Sequence, residues 1–142
     1  MRRRRRIIIN NRASSRSVHQ TAFIRRNGIL HAENVPLDAI ARRYGTPCYV
    51  YSSAALKSAY RSFSTACAGR DVMICYAMKA NSNLAILNLF ARMGAGFDIV
   101  SAGELRRVLK AGGNPRKVVF SGVGKSEAEM REAIAANIFC FN

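Results

Sequence analysis

Acid is missing from the first 26 residues, which hold nine arginines, while residues 27 to 142 carry 14 basic and eight acidic groups. The net charge of +15 therefore belongs mainly to one end of the chain and does not describe its body. CxxC pairs are also missing. Cys48, Cys67, Cys75 and Cys140 are scattered, and only His19 and His31 could join them. This spacing argues against a zinc site, and no metal ligands are assigned. It suits a reducing, cytoplasmic setting in which free cysteine packs as a small hydrophobe, as expected for Cys75 and Cys140 inside apolar runs. No apolar run approaches the ~20 residues of a membrane-crossing helix, so no membrane partner is expected. Neither GxGxxG nor GxxxxGK[ST] occurs. In VVFSGVGKS, Val119 stands where a phosphate loop needs its first glycine, which argues against nucleotide binding.

What is present falls into three parts. Residues 1–20, MRRRRRIIINNRASSRSVHQ, have an apolar core of only Ile7-Ile8-Ile9. That is short of the roughly 7 to 15 residues of a secretory signal. The composition fits a transit peptide for organellar import, a nucleic-acid-binding arm whose arginines neutralise phosphates, or a disordered extension. No helical face separates apolar from basic residues and no aromatic is interleaved to stack on bases, so disorder is the expectation.

Residues 21–52 form a short β and helix segment. Ala22–Arg26 and Ile29–His31 flank Asn27-Gly28, a pair that tolerates the positive φ angles of a tight hairpin. Pro36 fits the first turn of a helix that Gly45 ends. Cys48–Tyr51 reads as a strand, and Ser52 or Ser53 as the cap of the next helix.

Residues 53–142 alternate regularly. Val72–Met78 is a strand, followed by a helix capped by Asn83. Phe97–Val100 precedes a helix over 103–111, Val118–Phe120 a helix over 126–136, and Ile138–Phe141 is a fourth strand. Strands apolar throughout, each followed by a helix, predict an α/β fold with a parallel sheet. Either a doubly wound sheet or part of a (β/α)8 TIM-type barrel satisfies the pattern. A barrel takes about 250 residues, so the barrel reading makes this chain roughly half of one.

Lys79 follows the first of these strands, at the end where barrels build their sites. A lone lysine there commonly extends into solvent. It becomes a nucleophile where desolvation depresses its pKa, to which apolar Met78 and Ala80 could contribute. From position alone both readings stand.

Three ordered motifs then point to a family. YAMKANSNLAIL, GAGFDIVSAGEL and VVFSGVGKS closely resemble the N-terminal half of the barrel in the diaminopimelate decarboxylases. These belong to the alanine-racemase-like, fold-type III pyridoxal-phosphate (PLP) decarboxylases, with the ornithine and arginine decarboxylases. FIRRNGILHAENVPLDAIARRYGTPCYVYS is similar to the segment that precedes that barrel, and the resemblance runs from about Phe23 to Asn142. It implies that Lys79 carries pyridoxal 5'-phosphate as a Schiff base, and that Asp98 and Glu104 line the cofactor side of the pocket. The implied reaction is lysine biosynthesis by decarboxylation of meso-2,6-diaminopimelate to L-lysine and CO2. A small amino acid is then the substrate, and a homodimer is expected for the complete protein. Another fold-type III protein, ornithine/arginine decarboxylase-like or racemase-like, is the alternative within the family. Outside it stands a basic nucleic-acid-binding protein, disfavoured because the arginines lack aromatics or a reading element.

The family continues past the matched motifs with a ring-stacking histidine, a Gly-rich phosphate loop, a glutamate facing the ring nitrogen and a C-terminal β domain. None of these occurs in the 142 residues. The expectation is therefore a truncated barrel, inactive alone, with open sheet edges that favour aggregation. The hairpin at Asn27-Gly28 is expected to be poorly anchored without that β domain.

Overall fold

The computed structural model describes residues 22 to 142 and the strand β1 (Arg6–Ile8). Two compact units result, one of Asn10–Ala66 and one joining Met1–Ile9 to Cys67–Asn142. Expectations for residues 1–5 and 9–21, including the transit-peptide and nucleic-acid readings, lie outside the described residues.

In the first unit, β2 (Phe23–Arg26) and β3 (Ile29–Ala32) form the expected hairpin, with Arg26 opposite Ile29. Asn27 at φ 51° and Gly28 at φ 80° supply the left-handed turn that lets two residues join right-twisted strands. The hairpin gains a third strand, β4 (Val35–Pro36), and the Glu33 N–H donates to Ala22 O at 2.7 Å. Helix α1 (Leu37–Tyr44) starts one residue after Pro36, which serves as its N-cap, and ends at Gly45, whose φ of 79° breaks the helical repeat. Cys48–Tyr51 is not a strand. The segment pairs with no described strand, and Tyr49 is 92% exposed. Alternating β-formers therefore read as a strand in sequence, yet no ladder partner receives them. Helix α2 (Ser53–Ala66) begins at the predicted serines. Ser52, 4% exposed, accepts from Ala55 N at 3.0 Å and donates to Glu33 Oε1 at 2.8 Å. Glu33 Oε1 also accepts from Ala54 N at 2.9 Å, so a carboxylate about twenty residues upstream caps a helix whose own first turn has no acid.

The second unit is a five-stranded parallel sheet in the order β1, β5 (Val72–Ala77), β6 (Gly96–Ile99), β7 (Val118–Phe120), β8 (Cys140–Phe141). The expected disorder of residues 1–20 does not hold for Arg6–Ile8, which pair with Val72–Ile74. Two of those residues are β-branched, and β5 has an edge to offer. Helices α3 (Leu84–Arg92), α4 (Ala102–Lys110) and α5 (Glu127–Ala135) alternate with the strands as predicted.

Strand periodicity assigns the two faces. Phe97, Ile99, Val118 and Phe120 are fully buried, as are Leu87 of α3 and Leu105 and Val108 of α4. Tyr76 stacks on Phe90 of α3 with ring centroids 4.4 Å apart, which marks this as the helix-covered face. Each such large side chain contributes roughly 1.5–3 kcal/mol on burial. The other face carries Met73, Cys75 and Val119, with Cys140 packed against them. Gly96 lies in the same row, and a Cβ there would fall 2.6 Å from Lys117 O and 2.7 Å from Cys75 Sγ. The glycine is what lets the strands and this cluster close up.

Candidate functional site

The expected lysine sits where the strand ends. β5 stops at Ala77, one residue earlier than predicted, and Met78–Ala80 form a single 3-10 turn. Met78 turns inward and is 1% exposed, while Lys79 and Ala80 are exposed. The apolar neighbours therefore do not enclose the amine as the sequence suggested, because the tight turn sends Met78 to the core and leaves the next two residues outside.

The polar cluster after Lys79 has a visible purpose. Tyr76 Oη donates to Asn81 O at 3.0 Å, tying the residues after the turn back to the strand before it. Asn81 Oδ1 accepts from Asn83 N at 2.9 Å, and Asn83 Oδ1 accepts from Ala85 N at 2.9 Å as the N-cap of α3. Arg107 Nε, from α4, donates to Ser82 O at 3.1 Å. YAMKANSN is thus a strand end, one turn and a helix cap, with the lysine held between two hydrogen-bonded anchors.

Asp98 lies on β6 opposite Ala77, two residues before Lys79, so strand register brings the two segments together at the carboxyl end of the sheet. Its Oδ1 accepts from Ser121 Oγ at 2.5 Å. Ser121 follows β7, and its N–H continues the ladder to Ile99 O at 2.8 Å. The negative charge of Asp98 reaches the sheet interior as well. Burial, and after it the nearby Asp98 and Cys140, push the Cys75 thiol up to about 12.

Glu104 is used locally. Ser101 caps α4 by accepting from Glu104 N at 3.3 Å, and Glu104 Oε2 accepts from Val100 N at 2.7 Å, a reciprocal arrangement close to a capping box. This holds the loop after β6, two residues beyond Asp98. Glu129 of α5 adds a second lock, accepting from Ala102 N at 3.0 Å while closing the capping box with Ser126. Those contacts, that to Ala102 N first, hold its carboxyl below the ordinary value. Lys125, in the loop that superficially resembled a phosphate loop, donates to Gly122 O and to Asn142 O, the latter at 2.9 Å. Its amine is committed to backbone carbonyls. Gly122 permits the loops after β6 and β7 to meet, since a Cβ there would fall 2.5 Å from Val100 O.

Asp98 and the previously unassigned Ser121 are therefore joined by a hydrogen bond at the end of the sheet that also carries Lys79, while Glu104 holds the loop after β6. Ser121 carried no sequence signal of its own, because a serine ending a strand is common. Among the described residues no group of three or more His, Cys, Asp or Glu stands placed to hold a metal, and no helix is long and apolar enough to cross a membrane. An exposed primary amine and a nearby carboxylate at one end of a parallel sheet suit an aldehyde-bearing, cationic-ring cofactor such as pyridoxal phosphate. The amine can condense with the aldehyde, and the carboxylate favours positive charge.

Comparison with known proteins narrows this chemistry. Residues 53–142 match the family model described as pyridoxal-dependent decarboxylase, pyridoxal binding domain. Diaminopimelate decarboxylase of Pseudomonas fluorescens is 57% identical over 121 residues, which cover 85% of this chain and 29% of that protein. The chain thus spans less than a third of the length of this curated relative. Among solved structures, a protein of Aquifex aeolicus superposes with a TM-score of 0.81 at 43% identity, over 85% of this chain and 30% of that one. Diaminopimelate decarboxylase from M. jannaschii, in co-complex with L-lysine, gives 0.78 at 34% identity over 85% and 29%. These superpositions bear out the barrel that the resemblance implied: the parallel sheet is part of the N-terminal, pyridoxal-binding barrel domain.

Proposed function

Because this chain belongs to the pyridoxal-dependent decarboxylases through their pyridoxal-binding domain, we propose that it supplies the lysine side of a cofactor site. In the complete protein that site decarboxylates meso-2,6-diaminopimelate to L-lysine and CO2. The observation that carries the reading is Lys79 on its anchored turn, with Asp98 in register on the next strand, in a chain 57% identical to a diaminopimelate decarboxylase. The L-lysine in the M. jannaschii structure supports the same product class.

Lys79, Asp98 and Glu104 are the residues assigned to the cofactor side. Pyridoxal phosphate, when bound, supplies an aldehyde and a conjugated ring that takes up the electrons left as CO2 departs. Lys79 Nζ would hold the cofactor by its aldehyde carbon. The Tyr76–Asn81 and Asn83–Ala85 hydrogen bonds fix its turn in place. Asp98, its Oδ1 held by Ser121, presents negative charge at the strand end. Glu104 sets the loop after β6 by holding Val100 N. Residues 1–20, 21–52 and 53–142 act respectively as an N-terminal extension, a β segment belonging with a C-terminal β domain, and the barrel part. The complete protein works as a cytoplasmic homodimer on a small amino acid, a setting that suits four free thiols.

The test is release of CO2 and L-lysine from meso-diaminopimelate by the complete protein supplied with pyridoxal phosphate. Lys79→Ala is expected to lower kcat/KM by at least about 10³-fold, roughly 4 kcal/mol of barrier. Retained activity in that variant, or preference for ornithine or arginine, overturns the assignment.

A further inference from the structure

The cofactor site leaves one feature of the sheet unused: the outer edge of β5 is covered. β5 opens the strand-helix series, and closing a (β/α)8 barrel requires the outer edge of the first strand to pair with the last. That edge is held by Arg6–Ile8, with Arg6, Ile7 and Ile8 opposite Val72, Met73 and Ile74. The pairing is parallel, the direction a closing barrel strand takes, and its source lies outside the family model, which begins at residue 53. Ile7 and Ile8 are β-branched and suit an added strand.

We propose that Arg6–Ile8 are a self-supplied edge cover. They occupy the position of the barrel's closing strand along Val72–Ile74, the first half of β5, pair with outward backbone groups there, and have to leave before a closing strand can pair there. The inference rests on the barrel architecture and not on the identity of the substrate, so it stands or falls separately from the decarboxylase reading. It gives Ile7 and Ile8 a role as the added strand.

Hydrogen exchange read by mass spectrometry tests this on the 142-residue chain, on an Ile7→Pro/Ile8→Pro double variant, and on a chain lacking residues 1–9. Proline removes the backbone donors of the added strand. Peptides spanning Val72–Ala77 are expected to exchange about tenfold faster or more in both altered chains. Peptides spanning Gly96–Ile99 and Val118–Phe120 should keep their rates, and a synthetic peptide of residues 1–9 should restore slow exchange to the shortened chain. Equal exchange over Val72–Ala77 in all three chains overturns the proposal. If the shortened chain loses protection throughout the sheet, the added peptide decides: recovery at Val72–Ala77 supports the edge cover, and no recovery overturns it.

Discussion

A cysteine's behaviour follows from where its sulfur sits, and the four cysteines of this chain fall into three settings. Cys48 is exposed, Cys67 and Cys140 are half-buried, and Cys75 is buried with its thiol pushed up to about 12. Only the thiolate is a good nucleophile, so accessibility and pKa act in the same direction. Alkylation of the native chain at pH 8 should modify Cys48 first and Cys75 last. Peptide mapping of a time course checks this, and early labelling of Cys75 would show that the inner face of the sheet is open. Gly96 gives a second residue-scale expectation. Gly96→Ala drives a methyl group into Lys117 O and Cys75 Sγ, and overpacking of this kind costs about 1–3 kcal/mol, measurable as a lower urea midpoint. At this scale the sequence was only partly legible. Lys79 and Asp98 stood out through their motifs, but the hydrogen bond that joins Asp98 to Ser121 depends on strand register, which no single motif encodes. In sequence Met78 reads as part of the lysine's apolar surroundings, and the 3-10 turn puts it in the core instead.

Turns and caps carry the next level. The Lys79 turn is held at its start by Tyr76 and after its end by Asn81 and Asn83. Tyr76→Phe keeps the ring against Phe90 and removes only the hydroxyl, so a loss of about 1 kcal/mol is expected. Faster hydrogen exchange should be confined to residues 78–83. Three carboxylates tie other elements together. Glu33 is held below the ordinary 4.5 chiefly by the Ala54 N–H, Glu129 by the Ala102 N–H, and Glu132 by the Arg106 side chain. A folded pKa below the unfolded one stabilises the fold above the unfolded value and loses that contribution as pH falls through the folded value. The urea midpoint should therefore hold steady from pH 7 to about 5 and drop below 4.5, and Glu129→Gln should make the drop shallower. An unchanged acid limb in that variant would remove Glu129 from the account. Helix caps at Asn83, Ser101 and Ser126 follow rules that sequence displays directly. Cys48–Tyr51 shows the limit: a segment with strand composition forms no strand where none of the described strands pairs with it.

For the whole molecule, four apolar strands each preceded or followed by a helix were enough to predict a parallel sheet, because that pattern buries both faces of every strand. What the strand-helix pattern lacked was curvature, so the barrel entered through the resemblance of the three motifs, and superposition on solved structures bears it out. The pairing of Arg6–Ile8 with β5 was also out of reach, since a strand of three residues separated from its partner by more than sixty carries no local signal. The account as a whole turns on one lysine. Incubating the protein with pyridoxal phosphate, reducing with borohydride and mapping the modified peptide tests it most directly. The expected result is a pyridoxyl group on Lys79 and its loss in Lys79→Arg; labelling at other lysines of the folded protein with Lys79 unmodified would contradict the account.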